Sequence, residues 1–390
     1  MVEGAVVTAE QGSIATSASG RESVPARGSI LMLVLGRLDA FGVALTERTM
    51  SLYAAAALRI GYGLIYLVYL LREFPHRDEI WGPGSPLTPA LSRELLDRTG
   101  WFSVLTFSDS PVYFEACYGF ALVVCVLFTL GWRTRMLSIV FALVVASFYA
   151  RSILMTDGGD NLITLMSIYL VCTACGRRWS LDSRRARLRG SAHRRGRMFA
   201  RFGACEFARQ LGVSRQVLVT VLHNCGMVVV GVQICILYAT AGLYKAQGGD
   251  WDNGTALHYV LNLSLFQPWP ALSAAADSHP MMITIVGYLT VLVQVAFPFA
   301  LFGRLKYIVL VMLLSMHLGI AVLMGLPLFS GSMVIADAVF LSDRFYTGTA
   351  RWARRLLRRA GPTVPDTAHP ADGSLVPRQQ VRPTEVLDRT

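Results

Sequence analysis

Long uncharged apolar stretches, each close to the length that crosses a bilayer, recur along the chain between short polar connections. Eight can be drawn, over approximately 52–71, 112–131, 136–152, 160–176, 217–243, 281–302, 305–325 and 329–343. Such windows of about 20 residues read as membrane-spanning helices, and the eighth is short for a hydrocarbon core of ~30 Å. Residues 29–50 begin apolar but are interrupted by Arg37, Asp39, Glu47 and Arg48, which predicts an amphipathic helix lying in the interface rather than a span. Residues 1–28 are polar and rich in Ser, Ala and Gly. They lack the basic start and apolar run of a signal peptide and are predicted, with residues 361–390, to be disordered. The expected fold is all-α, a polytopic membrane helix bundle of about eight spans over residues 51–345, followed by a basic and then disordered tail over 346–390.

Composition sharpens this reading. Charged residues make up 16% of the 390, hydrophobic residues 54%, and mean hydropathy is +0.48. A soluble domain carries about 25% charged residues, and the deficit is what leaves the long windows free of ions. The cations also set the orientation. The connection 177–216 holds 12 arginines against Asp182 and Glu206. Arg133 and Arg135 follow span two, Arg304 and Lys306 follow span six, and six arginines between Arg344 and Arg359 follow span eight. With eight spans these four segments share one side, which the positive-inside rule makes cytoplasmic, together with both termini. The opposite connections are acidic or neutral. The expected location is the inner or plasma membrane. Topology accounts for the arginine-rich connection, so nucleic acid is not an expected partner, and the lipid bilayer with its anionic headgroups is.

Lysine is the exception in this chain. Of 36 basic residues only Lys245 and Lys306 are lysines, a scarcity that fits a GC-rich bacterial genome. Lys245 ends span five, in YATAGLYKAQGGDWDNG (238–254). There it reads either as a cation snorkelling at a helix C-terminus or as a base, because lysine, unlike arginine, can lose its proton when buried. TDGGDN (156–161) places Asp157 and Asp160 at the start of span four, where they read as a helix cap or as functional carboxylates. Ionisable residues within spans point to function by default. They are Arg59, Glu115, His223, His317 and Asp337, of which His317 and Asp337 lie deepest. The seven cysteines lie in apolar runs or in the arginine-rich connection. Cys172 and Cys175 have CxxC spacing without a second pair and read as small packing residues. No metal-ligand or phosphate-loop motif occurs.

Several stretches, in order, resemble the horizontally transferred transmembrane (HTTM) family, the vitamin K-dependent γ-carboxylase-like membrane proteins, which include bacterial members such as sporulation-delaying protein B. They are ALRIGYGLIYL (57–67), LGWRTRML (130–137), DGGDNLITLMSIYL (157–170), RRWSLD (177–182), YATAGLYKAQGGDWDNG, LFQPWP (265–270) and MHLGIAVLMGLPLFS (316–330). The resemblance covers roughly residues 50–345. It implies that Lys245, in the YxxAGxxK context, is a base that deprotonates a reduced membrane quinone. Asp160 stands where the animal carboxylase has a histidine and is the second candidate catalytic residue. Trp251, Tyr244 and His317 are candidates for cofactor binding. The implied activity is quinol-dependent modification of a peptide or small substrate on the outer face. The alternative is an accessory, non-catalytic role in maturing or exporting a secreted peptide. The large lumenal domain of the carboxylase has no counterpart in this sequence.

Overall fold

The computed structural model describes residues 36, 42–43, 45–196, 206–301 and 303–359. Its principal helices are α1 (Leu52–Arg72), α2 (Pro111–Leu130), α3 (Thr134–Arg151), α4 (Gly158–Val171), α5 (Glu206–Ala246), α6 (Pro280–Ala300), α7 (Leu305–Leu323), α8 (Pro327–Asp337) and α9 (Asp343–Arg359). No strand occurs among the described residues. The chain divides into two compact units, Met1–Tyr346 and Thr347–Thr390.

Six helices are long and apolar enough to cross a membrane: α1, α2, α3, residues 210–246 of α5, α6 and α7. The protein is therefore a multi-pass helical membrane protein. The stretches expected as spans four and eight form shorter helices. α4 has 14 residues and α8 has 11, about 21 Å and about 17 Å at 1.5 Å per residue, against a core of ~30 Å. Both lie inside the bundle: α8 packs on α1, α4 and α7, and α4 packs on α3, α5 and α8. Glycine permits the closest of these approaches. A Cβ on Gly331 would meet Ile65 at 2.8 Å, and one on Gly61 would meet Ile335 at 2.6 Å. The disordered tails expected at 1–28 and 361–390 lie outside the described residues. So does most of the interfacial helix expected at 29–50, of which residues 36, 42–43 and 45–47 are helical.

The arginine-rich end of the bundle is held by a clamp built from three of the stretches singled out above. α2 ends at Gly131, which turns with φ +75°. Its last carbonyls, Phe128 O and Thr129 O, accept hydrogen bonds of 2.8 Å from the fully buried Arg59 guanidinium of α1, which also donates to Trp179 O at 2.7 Å. A cation at a helix C-terminus complements its exposed carbonyls. Asp182 then caps the start of α3, accepting from Arg133 N, Thr134 N and Thr134 Oγ1 at 2.8–3.0 Å. A second latch sits on α5. His223 Nδ1 accepts from Ala174 N at 3.1 Å, so its Nε2–H donates to Met50 O at 2.7 Å. The neighbouring Asn224 holds Leu45 O, Arg48 O and Met50 N. Both residues anchor the chain entering α1.

Candidate functional site

Tyr238, Ala241, Gly242 and Lys245 share one stripe of α5, at i, i+3, i+4 and i+7. The small pair in the middle lets α6 approach: a Cβ on Gly242 would lie 3.0 Å from both Gln294 Cβ and Val295 N. That approach brings Gln294 to Lys245, whose half-buried Nζ donates to Gln294 Oε1 at 3.1 Å and to Ala241 O at 3.4 Å. The Trp251 ring, delivered by the turn after α5, lies 5.6 Å from Nζ. Among the described residues no carboxylate pairs with this amine.

Lys245 ends α5 but not the bundle. Gln294 is 14 residues into α6, so about 21 Å of α6 runs on beyond the lysine. That part of α6 is covered by the chain 249–279, which folds into the short helices Gly249–Asp252, Ala256–Asn262 and Pro270–Asp277. Tyr288 Oη donates to Asp252 O at 2.7 Å, and Thr284 packs on Gly254. Within this hood Asp277 clasps the second and third short helices, accepting from Asn262 at 2.9 Å and lying 2.7 Å from His258 Nδ1. These bonds, from Asn262 first and then His258, hold the Asp277 carboxyl below its usual range. The sequence places Lys245 at an outer face. The structure places it beneath a hood.

Two helical turns below Lys245 on the same stripe, about 10 Å along α5, lies a buried polar cluster. Tyr238 Oη donates to Asp337 Oδ2 of α8 at 2.9 Å and lies 3.0 Å from His317 Nε2 of α7. All three residues are buried. Among the described residues His317 Nδ1 and Asp337 Oδ1 have no hydrogen-bond partner. Phe297 packs edge-on against Tyr238, and Phe329 edge-on against His317.

The far side of Phe329 faces a cavity of about 150 Å³ between the end of α1 and the starts of α4 and α8. Its lining includes Tyr69, Arg72, Asp157, Asp160 and Phe329. Asp160 belongs to a capping box: Asp157 Oδ1 accepts from Gly159 N and Asp160 N at 2.7 and 3.0 Å, and Asp160 Oδ2 accepts from Asp157 N at 3.1 Å. Among the described residues no hydrogen bond or ion pair joins Asp160 to Lys245, and Lys245 does not line this cavity.

Of the residues singled out from sequence, the structure brings Lys245 and Trp251 together. His317 lies in the cluster below them. Tyr244 is 81% exposed and turned away from that stripe. Glu115 is an exposed ion-pair partner of Arg77 at 2.9 Å. The residues not foreseen are Gln294 and Tyr238. Gln294 carried a readable signal as the only amide within α6, while Tyr238 passes for an ordinary apolar-face aromatic until its hydroxyl partners are known. Among the described residues no group of three His, Cys, Asp or Glu side chains could hold a metal ion.

Over 241 residues the chain is 24% identical to the uncharacterized protein YitO of Bacillus subtilis (strain 168); the match covers 60% of this chain and 69% of that one. No protein-family profile matches the chain, and no solved structure does.

Proposed function

We propose that this protein is a member of the HTTM family that uses Lys245 as a neutral amine base toward a reduced membrane quinone, so as to modify a peptide or small substrate. One observation carries the reading. Lys245, half-buried at the end of α5, donates to an amide and a carbonyl, lies beside an indole ring, and has among the described residues no acidic partner to keep it charged. An amine without a counter-ion in apolar surroundings favours its neutral form, which can accept a proton. The residues fit a phenolic ligand: Trp251 offers a ring face and Gln294 a hydrogen-bonding amide. A bound quinol would supply, on reaction with oxygen, the strong base needed at a carbon acid. Lys245 would take the phenolic proton that opens this chemistry, and Gln294 would hold the amine toward it. The distribution of arginine supports placing the clamp end in the cytoplasm and the hood on the outer side of the cell membrane.

The test is Lys245→Arg, which keeps charge and length but not the ability to be neutral at ordinary pH. Activity, or the phenotype of a deletion strain, is expected to fall by at least about 100-fold, the scale of a lost general base. Unchanged function in Lys245→Arg rejects the base. The accessory reading draws on a different observation, the capping box, which gives Asp160 a structural task at the position where the carboxylase has a histidine. Under that reading Lys245→Arg and Lys245→Met both retain function.

A further inference from the structure

The Tyr238–His317–Asp337 cluster is an open-ended hydrogen-bond chain. A hydroxyl has one hydrogen, so Tyr238 can donate to only one neighbour and must accept from the other. Two arrangements satisfy the same heavy-atom positions. In the first, Tyr238 donates to the Asp337 carboxylate and accepts from His317 Nε2–H, leaving Nδ1 bare. In the second, Asp337 is protonated and donates to Tyr238, Tyr238 donates to Nε2, and Nδ1 carries a hydrogen. The second holds one proton more. The two atoms without partners, His317 Nδ1 and Asp337 Oδ1, are the two free ends of this chain.

We infer that the cluster is a proton-accepting relay serving the amine above it: a proton released from Lys245 is taken up at His317 and stored on Asp337. The transfer balances without any other reactant. The N–H bond of the Lys245 ammonium breaks and an N–H bond forms at His317 Nδ1. The Nε2 hydrogen passes to Tyr238 Oη, and the Tyr238 hydrogen passes to Asp337 Oδ2. Lys245 returns to its neutral form and the carboxylate charge is lost, with no side chain in the cluster needing to change place. The gap from Lys245 to the cluster, about 10 Å along α5, is one that a proton crosses on intervening water, which is returned unchanged; Gln294 ties the amine to α7 at its upper end, accepting from Nζ and donating to Met316 Sδ at 3.5 Å. The other groups around the relay leave it isolated. Tyr62 of α1 donates to Ser332 O at 3.2 Å, α6 contributes Phe297 and Gln294, which do not titrate, and Lys245 is the cation facing it. An ionisable pair buried this deep is costly, and a proton path is one of the uses for which such groups are kept. This assignment rests on Lys245 acting as the base, while proton uptake by the cluster itself does not.

Infrared difference spectroscopy on the full chain in lipid nanodiscs tests it without need of a substrate. Titration is expected to reveal the carbonyl stretch of a protonated carboxylic acid, sensitive to deuterium, that disappears in Asp337→Asn. Tyr238→Phe removes one oxygen and keeps the ring. It is expected to shift the midpoint of that band by about one pH unit, a tenfold change in proton affinity, and His317→Gln is expected to do the same. Lys245→Met is expected to leave the band present but move its midpoint. A band that survives in Asp337→Asn, or a midpoint unmoved in both Tyr238→Phe and His317→Gln, overturns the relay. Should Asp337→Asn fail to fold, the two milder variants decide. Failure of the base reading looks different: the band and its coupling persist while Lys245→Arg retains function.

Discussion

At the scale of the residue, the same chemical type serves different ends, and the partners decide which. Arg59 and Lys245 are both cations in apolar helices. Arg59 spends both terminal nitrogens on three carbonyls of two other segments, a use that suits a rigid, permanently charged fork. Removing it takes the donor from Thr129 O and Trp179 O, while Phe128 O keeps its bond from Gly131 N, at up to about 1–3 kcal/mol for each lost group. Arg59→Met is therefore expected to lower the thermal unfolding midpoint of the purified protein substantially, and Arg59→Lys, which cannot reach all three carbonyls, to lower it less. The sequence marks Arg59 as an ionisable residue in a span. It does not show that the carbonyls of Gly131's turn and of Trp179 converge on it, because that convergence depends on segments up to 120 positions apart. Lys245 is legible for a different reason: in a chain of arginines its rarity is visible before any contact is known.

At the scale of the element, periodicity locates the helices well and their ends less well. α1, α2, α3, α6 and α7 match the expected spans to within a few residues. The stretches for spans four and eight have the right composition, but their helices stop early. α4 gives way near Cys172, and α8 ends at Asp337, whose side chain is drawn into the buried cluster rather than to a membrane surface. Nor does apolar patterning reveal the hood, whose short helices are too brief for a period to stand out. Its clasp gives it a pH dependence. Because the Asp277 carboxyl lies below its usual range when folded, the clasp's contribution is present above the unfolded carboxyl's range and is lost as pH falls through the folded value. Hydrogen–deuterium exchange over residues 256–279 is expected to rise in acid relative to neutral pH. Asp277→Asn is expected to exchange faster already at neutral pH and to respond less to acid.

At the scale of the whole molecule, the unequal distribution of arginine organises the reading. Five of the seven stretches that carry the family resemblance fall into two groups in space. ALRIGYGLIYL, LGWRTRML and RRWSLD meet in the clamp, where their shared features have structural causes: a buried guanidinium, a glycine turn and an aspartate cap. YATAGLYKAQGGDWDNG and MHLGIAVLMGLPLFS meet around Tyr238 and His317, where the structural need is weaker and the chemistry richer. Order along the sequence could not separate these two roles, whereas their positions in the bundle do. The orientation proposed for the two ends is open to direct measurement. Single cysteines placed at Arg189 and at Leu265, in a cysteine-free background, are expected to react with a membrane-impermeant maleimide in opposite preparations: Leu265→Cys in intact cells, Arg189→Cys only after the membrane is opened.

The shortness of α8 bears on how the protein is made. Eleven residues that include Asp337 are a poor substrate for the insertion machinery, which releases a segment into lipid when its length and apolarity suffice. α8 is emitted after α1 to α7, and its partners α1 and α4 were synthesised far earlier. Its place in the membrane is therefore granted by protein rather than by lipid, in a groove that the earlier helices must first have formed. Asp337 arrives with it, so the relay closes only at the last step of assembly, and a half-built chain carries Lys245 with nowhere to send a proton.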